Sequence, residues 1–196
     1  MKVKTIAEIA EIQAGYSFRG SIADTPTGQT AVVQASNIDA DSLAVNTSAL
    51  KSVTDEPTKE AAYLAQGDII VAARGSVLGG LKSAVFGGNQ KRTIASSSVY
   101  IIRLRDDSRI SPDFFSLDLN SSAGQSRMAK KSVGTLIQTI LKKDIAELEI
   151  PIPEPAVQET LVQLYRNIRT QEQALEEKKR IMEEILAGVL QNTLTH

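Results

Sequence analysis

The side chains in this sequence best equipped for chemistry are cations. Arg74, Lys82, Lys91, Arg92, Arg103, Arg105, Arg109, Arg127, Lys130, Lys131, Lys142 and Lys143 face only 4 Asp across residues 74–143, a net of +8. The flanks are acidic, −4 over residues 1–73 and −5 over residues 144–196, so the whole chain stays at −1. A cation island of this density is the footprint of a phosphate-backbone binder, because long-range attraction concentrates a polyanion at it. The same charges also serve a solvated face that balances the acidic flanks. Gly15-Tyr16-Ser17-Phe18-Arg19-Gly20 puts two aromatics and a cation in one loop. That composition stacks on bases or plugs a core, and for Phe18 the core reading is favoured.

Most other chemistry is closed off by composition. The chain has no Cys, and its one His is His196. Disulfides, thiolate zinc sites, iron–sulfur clusters, cysteine nucleophiles, Ser–His–Asp triads and most transition-metal sites go with them. Carboxylate, Lys, Tyr or Ser–Lys chemistry stays open in principle, but nothing pairs the acids convincingly. The glycines of Gly75-Ser76-Val77-Leu78-Gly79-Gly80 have phosphate-loop spacing, yet Leu81 stands where that loop needs Lys. The Asn-Pro-Pro-aromatic signature of an amino-methyltransferase is absent. The reading is a binder. No unbroken apolar run exceeds the five residues of Ile69–Ala73, where a bilayer needs about 20. Met1–Gln13 carries Glu8 and Glu11 where a secretory signal needs an apolar core. The expected location is cytoplasmic.

These groups must be held by short elements of mixed type. Val3–Ile12 reads as a helical turn or an edge strand. Ala31–Ala35 and Leu43–Val45 are strand candidates around a turn-rich segment, and Ile69–Ala73, bounded by Gly67 and Gly75, is the firmest strand. Five of the 12 glycines fall between Gly75 and Gly88, so tight turns between short strands are expected there. Ser96–Leu104 is a second firm strand. Ser111-Pro112-Asp113 starts a helix with a cap, a first-position proline and an early acid. Ser122–Val133 forms another, while Gly134–Thr139 and Leu148–Pro153 are extended, the latter at an edge or exit because of its prolines. The fold class is α+β, with short, mostly antiparallel strands in one domain over residues 1–153.

Residues 154–196 differ in kind. Pro does not recur after Pro155, Gly occurs only at Gly188, and Gln, Glu, Leu and Lys dominate. Leu161, Ile168, Leu175, Met182 and Val189 recur every seven residues, a complete coiled-coil seam. The second seam, Leu164, Gln171, Lys178, Ile185 and Asn192, is broken by polar residues in its middle. Residues Pro155–Gln191 as one helix extend about 55 Å, farther than one small domain covers, so another helix must cover much of the stripe. Helix association is the main reading and folding back on the domain the lesser one.

The order of segments resembles the specificity subunit of type I restriction–modification enzymes, which selects the DNA site for a methylase and a nuclease. The resemblance is carried by Ile9–Arg19, then Gly67–Ser76, then Gly134–Thr139, then Ile150-Pro151-Ile152-Pro153 with Gln158 beside the long helix. Members of that family usually carry two target recognition domains joined by two antiparallel helices. This sequence has one domain, one helix and no internal repeat, so it looks like half a subunit. Two copies joined through their helices rebuild the arrangement with a two-fold axis, and an inverted-repeat site follows. The implied partners are double-stranded DNA, a methylase subunit and a nuclease subunit. The two subunits carry the catalytic sites, so the resemblance implies a non-catalytic chain with no cofactor and no metal; the implied seam of the homodimer is Leu161, Leu164, Ile168, Leu175, Met182, Ile185 and Val189.

For DNA contact the resemblance points to Arg74 and Ser76 in a glycine-bounded loop, to Lys91 and Arg92 in the next loop, and to Lys130 through Gln138, including Lys131 and Thr135. Lys91, Lys130, Lys131, Lys142 and Lys143 suit phosphates, while Arg74, Arg92 and Gln138 can read guanine or adenine edges. Tyr16, Ser17 and Arg19 rank second. Gly15, Gly67, Gly75 and Gly134 read as backbone devices. Gln158 fits a methylase-docking surface or ordinary first-turn polarity equally. Two other readings stay open: a half that pairs with a different half, and a coiled-coil adaptor whose domain binds protein. Gln171 and Lys178 are compatible with the first and the near-neutral charge with the second.

Overall fold

A computed structural model describes residues 2–54, 57, 59–76, 79–89 and 91–194. Val77 and Leu78 of the glycine-spaced loop, His196, and the side chain of the seam residue Asn192 lie outside the described set. In chain order the elements are β1 (Lys2–Thr5), α1 (Ile6–Ile9), β2 (Ala10–Ala14), β3 (Thr30–Val33), β4 (Ile38–Asp39), β5 (Ala44–Val45), β6 (Lys51–Val53), β7 (Ile69–Ala72), β8 (Arg74–Ser76), β9 (Ser83–Val85), β10 (Arg92–Ala95), β11 (Val99–Leu104), α2 (Pro112–Asn120), α3 (Ser122–Lys131), β12 (Ile137–Thr139), α4 (Lys142–Ala146), β13 (Glu149–Ile152) and α5 (Pro155–Leu194). Strands β2, β11, β7, β9, β5 and β4 form one sheet in that order, β10, β3 and β6 a second, and β1–β13 and β8–β12 make two ribbons. All pairs are antiparallel except β3–β10 and β5–β9. The α+β expectation with mostly antiparallel strands is met.

The continuous apolar run of β7 has a plain cause, since both of its faces are covered. Ile69 and Val71 join Ile102 of β11 in the layer capped by Phe115, Leu119 and Met128 of α2 and α3. Ile70 and Ala72 point the other way with Val99 and Ile101, against Val33 and Phe86. The period-2 alternation of a strand divides one sequence run between two cores. Fully burying Phe115 contributes about 2–3 kcal/mol. Ser111 caps α2 by accepting from Phe114 N at 3.2 Å, with Pro112 in the first turn, as its sequence implies. The ambiguous segment from Val3 resolves into strand, single turn and strand: β1 pairs with β13, α1 buries Ile6 and Ile9, and β2 pairs with β11.

Helix α5 runs 40 residues, about 60 Å at 1.5 Å per residue. Its first turns belong to the domain. Val162 is buried in the main core, Tyr165 Oη donates to Ala40 O at 3.1 Å, and Arg169 donates to Asp41 at 2.5 Å. From Gln171 to Gln191 every residue is exposed. Gln158 is a correction to the docking-surface reading, because it is 2% exposed. Its side-chain amide accepts from Ser111 N at 2.9 Å and donates to Arg109 O at 2.9 Å and Pro153 O at 2.8 Å, tying the exit from β13 to the start of α2.

Candidate nucleic-acid interface

Four segments meet at one end of the six-stranded sheet and are laced by backbone hydrogen bonds. Gly15 N donates to Val99 O at 3.2 Å, Ser97 N to Tyr16 O at 2.9 Å, Ala73 N to Ser98 O at 2.9 Å, and Ala72 N to Lys82 O at 2.9 Å. This end therefore carries the Tyr16–Arg19 loop, the Ser96–Ser98 turn, the exit of β7 into Arg74, and the segment before β9. The turn is small and polar because two strands must reverse in little space. Ser96 and Ser98 bridge their hydroxyls at 2.8 Å, and Ser98 Oγ accepts from Ala35 N at 3.1 Å.

The β8–β12 ribbon projects from the same end. Arg74 lies opposite Thr139, Gly75 opposite Gln138 and Ser76 opposite Ile137. This corrects the loop reading of Arg74–Ser76, which missed a strand because three polar residues carry no hydrophobic alternation. Val133 and Thr139 exchange both backbone hydrogen bonds at 2.9 and 2.8 Å, closing a hairpin whose turn begins at Gly134. Gly134 has φ +107°, and a Cβ there collides with the Ile137 carbonyl. At Gly75 a Cβ collides with the Gly80 carbonyl, so only glycine lets the two chain segments touch.

Two side-chain amides from the helices fix the segment that leads into β9. Asn120 accepts from Ser83 N at 2.9 Å and donates to Ser83 O at 2.9 Å, while Gln125 accepts from Leu81 N at 3.0 Å and donates to Leu81 O at 3.1 Å. Each behaves as a neighbouring strand would. Behind them Asp118 and Arg127 form an ion pair between α2 and α3. Burial pushes the Asp118 carboxyl above its ordinary range even though Arg127 pulls it down. Among the described residues no group of three His, Cys, Asp or Glu is arranged to hold a metal.

Most of the residues singled out from the sequence gather here. Arg74, Ser76, Lys130, Thr135, Lys142 and Lys143 are exposed around the ribbon, with Gln138 half-buried in β12 and Lys131 half-buried beside it. Lys131 pairs with Glu147, whose hydrogen bond holds the ammonium above and the carboxyl below their ordinary values. Tyr16, Ser17 and Arg19 are exposed on the adjoining loop, and Phe18 packs half-buried against the small core of Val32, Val53, Tyr63 and Ile94. Tyr16 meets Phe18 edge-on at 4.9 Å.

Lys91 and Arg92 stand apart, at the other end of β7, and Arg92 opens β10 instead of lying in a loop. Lys91 Nζ donates to Gly28 O and Ser52 Oγ, both at 3.0 Å. Arg92 lies 3.5 Å over the Tyr63 ring and pairs with Glu60. Within the Lys130–Gln138 stretch that the sequence singles out, Leu136 is 82% exposed, Ile137 63% and Val133 61%, and the sequence gives none of these three a role of its own. The closed hairpin turns these apolar side chains outward.

Residues 1–184 match the protein family described as Type I restriction modification DNA specificity domain. The chain belongs to this family. Among solved structures, the specificity domain is similar to a type I restriction–modification system S subunit from M. genitalium, with TM-score 0.54 and 21% identity over 93% of this chain and 44% of that one. An HsdS subunit from Thermoanaerobacter tengcongensis gives TM-score 0.56 and 19% identity over 90% and 39%. A chain from work on complex assembly and conformational transition of the type I R-M system gives TM-score 0.69 and 18% identity over 96% and 43%. The specificity domain thus spans less than half the length of each. No curated protein matches it. No helix among the described residues is long and apolar enough to cross a membrane.

Proposed function

We propose that this chain is a half-length DNA-recognition subunit of a type I restriction–modification system. Two copies join through α5 and direct a separate methylase, and a nuclease, to a split inverted-repeat site in cytoplasmic DNA, while the chain itself catalyses nothing. The observation that carries the dimer is the bare seam on α5. Leu175 is 66% exposed, Ile185 61% and Met182 59%, with Leu161, Leu164, Ile168 and Val189 also exposed. At 100° per residue these fall on a stripe turned away from Gln158, Val162 and Arg169, which face the domain.

An antiparallel pair suits the seam's polar breaks. Setting Leu161 against Ile185 of the second copy also sets Leu164 against Met182 and Val157 against Val189, with Ile168 facing Lys178 and Gln171 facing Leu175. A parallel pair would instead put each Lys178 against its twin, a like-charge contact in the seam. The DNA surface is the sheet end with Arg74, Ser76, Lys130, Lys131, Thr135, Gln138, Lys142 and Lys143, flanked by Tyr16, Ser17 and Arg19. Lys91 and Arg92 form a separate, secondary patch.

The test is a map of adenine methylation in cells expressing this chain with its neighbouring methylase and no other specificity subunit. A symmetric split motif is expected. An asymmetric motif would replace the homodimer with pairing to a different half, and no methylation beside a folded methylase would favour the protein-binding adaptor.

A further inference from the structure

We propose that the Val133–Thr139 hairpin is an apolar wedge that enters the base stack of the bound duplex, with Leu136 as the inserted side chain, an inference that rests on the DNA-recognition reading above. Leu136, Ile137 and Val133 present three large apolar side chains to water within one tight turn, at 82, 63 and 61% exposure. Contiguous exposed apolar groups on a folded domain mark a contact surface, because leaving them hydrated forgoes burial.

The turn is held firmly on both sides. Val133 and Thr139 hydrogen-bond reciprocally, the other edge of β12 pairs with β8, and Ile140 N donates to Ala73 O at 3.1 Å. Gly134 at φ +107° lets the turn close. Leu136 is therefore displayed at a fixed place relative to the sheet, and little ordering entropy is lost when it is buried.

The surroundings choose the partner. Lys130 lies in the last turn of α3, Lys142 opens α4 and Arg74 lies opposite Thr139 across the ribbon; all three are exposed and make no ion pair among the described residues. Lysine is depleted at protein–protein contact cores, whereas cations around an apolar tip match a duplex, whose phosphates flank its stacked bases. Leu, Ile and Phe side chains that enter a base step unstack and kink it, and the bent duplex then wraps more of the protein surface, which offsets the cost of unstacking. Gln138, one residue past the apolar tip, is then near enough to read a base edge.

The test uses the full chain assembled with its methylase and a duplex enriched by that complex from random sequence, labelled at both ends with a donor–acceptor dye pair. The wild-type complex is expected to shorten the end-to-end distance on binding. With Leu136→Ala, and with Leu136→Ser as an independent variant, the bound duplex straightens and its affinity falls about tenfold. The salt dependence stays unchanged because no phosphate contact is removed. Leu136 is exposed, so an unchanged thermal melt separates lost binding from unfolding. A straight wild-type duplex, or variants that keep both bend and affinity, overturns the wedge. Variants that bend DNA normally but release the methylase overturn it too, assigning the hairpin to protein docking. A wild-type complex that enriches no duplex removes the DNA-recognition reading itself.

Discussion

The carboxylate of Asp68, 2% exposed, receives two hydrogen bonds from the Arg103 guanidinium, at 2.8 Å from Nε and 2.6 Å from Nη2. Asp68 also accepts from Ala65 N at 2.8 Å, and Arg103 donates to Tyr63 O at 3.3 Å, so the pair links the turn before β7 to β11. The Asp68 hydrogen bond holds the Arg103 guanidinium above its ordinary value. Removing one partner of such a pair leaves a half-buried cation and a bare amide. Asp68→Ala is expected to destabilise the domain by about 3 kcal/mol, read as a lower urea midpoint. A midpoint equal to wild type would mean the pair is replaceable by water.

Gly134→Ala tests the hairpin separately from its tip. The left-handed backbone and the collision with Ile137 predict a local cost of about 1–3 kcal/mol. Proteolysis at the 133–139 turn should accelerate, while the core strands keep their amide exchange protection, because the ribbon lies outside both main cores.

For phosphate contact, Lys130→Ala is expected to lower the slope of log affinity against log salt by about 0.9, equally on all duplex sequences. Gln138→Ala should instead leave the slope alone and relax the sequence preference at one position. A Lys130 effect confined to one sequence would refute the division of labour.

The α5 seam predicts an assembly result. Leu175→Lys with Met182→Lys should convert a dimer to a monomer by light scattering, without changing the melt of the domain, since both side chains are exposed in the single copy. An unchanged dimer would refute the seam. In the antiparallel register, Lys178→Leu should strengthen association by placing an apolar side chain against Ile168.

Asp118 makes a pH prediction with a definite sign. Its folded-state pKa is raised above 3.8 by burial, so the folded state takes up a proton before the unfolded one does. Stability from this group therefore grows as pH falls through the raised value, and is complete below 3.8. Compared with Asp118→Asn, the wild-type protein should gain relative stability across that window. A difference between the two that is flat with pH would mean that the Arg127 pair fully offsets the effect of burial on this carboxyl.

Local pattern alone made much of this protein legible. The apolar run of β7, the capped start of α2 and the seven-residue period of α5 are each written in neighbouring residues of one segment, and the absence of Cys with a single His closes off most catalytic chemistry. The order of short motifs carried the family. Long-range pairing decided the rest. Arg74–Ser76 became a strand only because β12, far along the chain, lies beside it. Gln158 disappeared from the surface because three backbone groups from two other segments needed partners. Lys91 and Arg92 lie away from Arg74 because Arg92 opens β10, and only the far end of that strand reaches the Ser96–Ser98 turn beside the exit of β7. Leu136 turned outward because a closed hairpin has no interior to receive it. Burial and hydrogen-bond satisfaction depend on which distant segments meet, and that is settled in three dimensions.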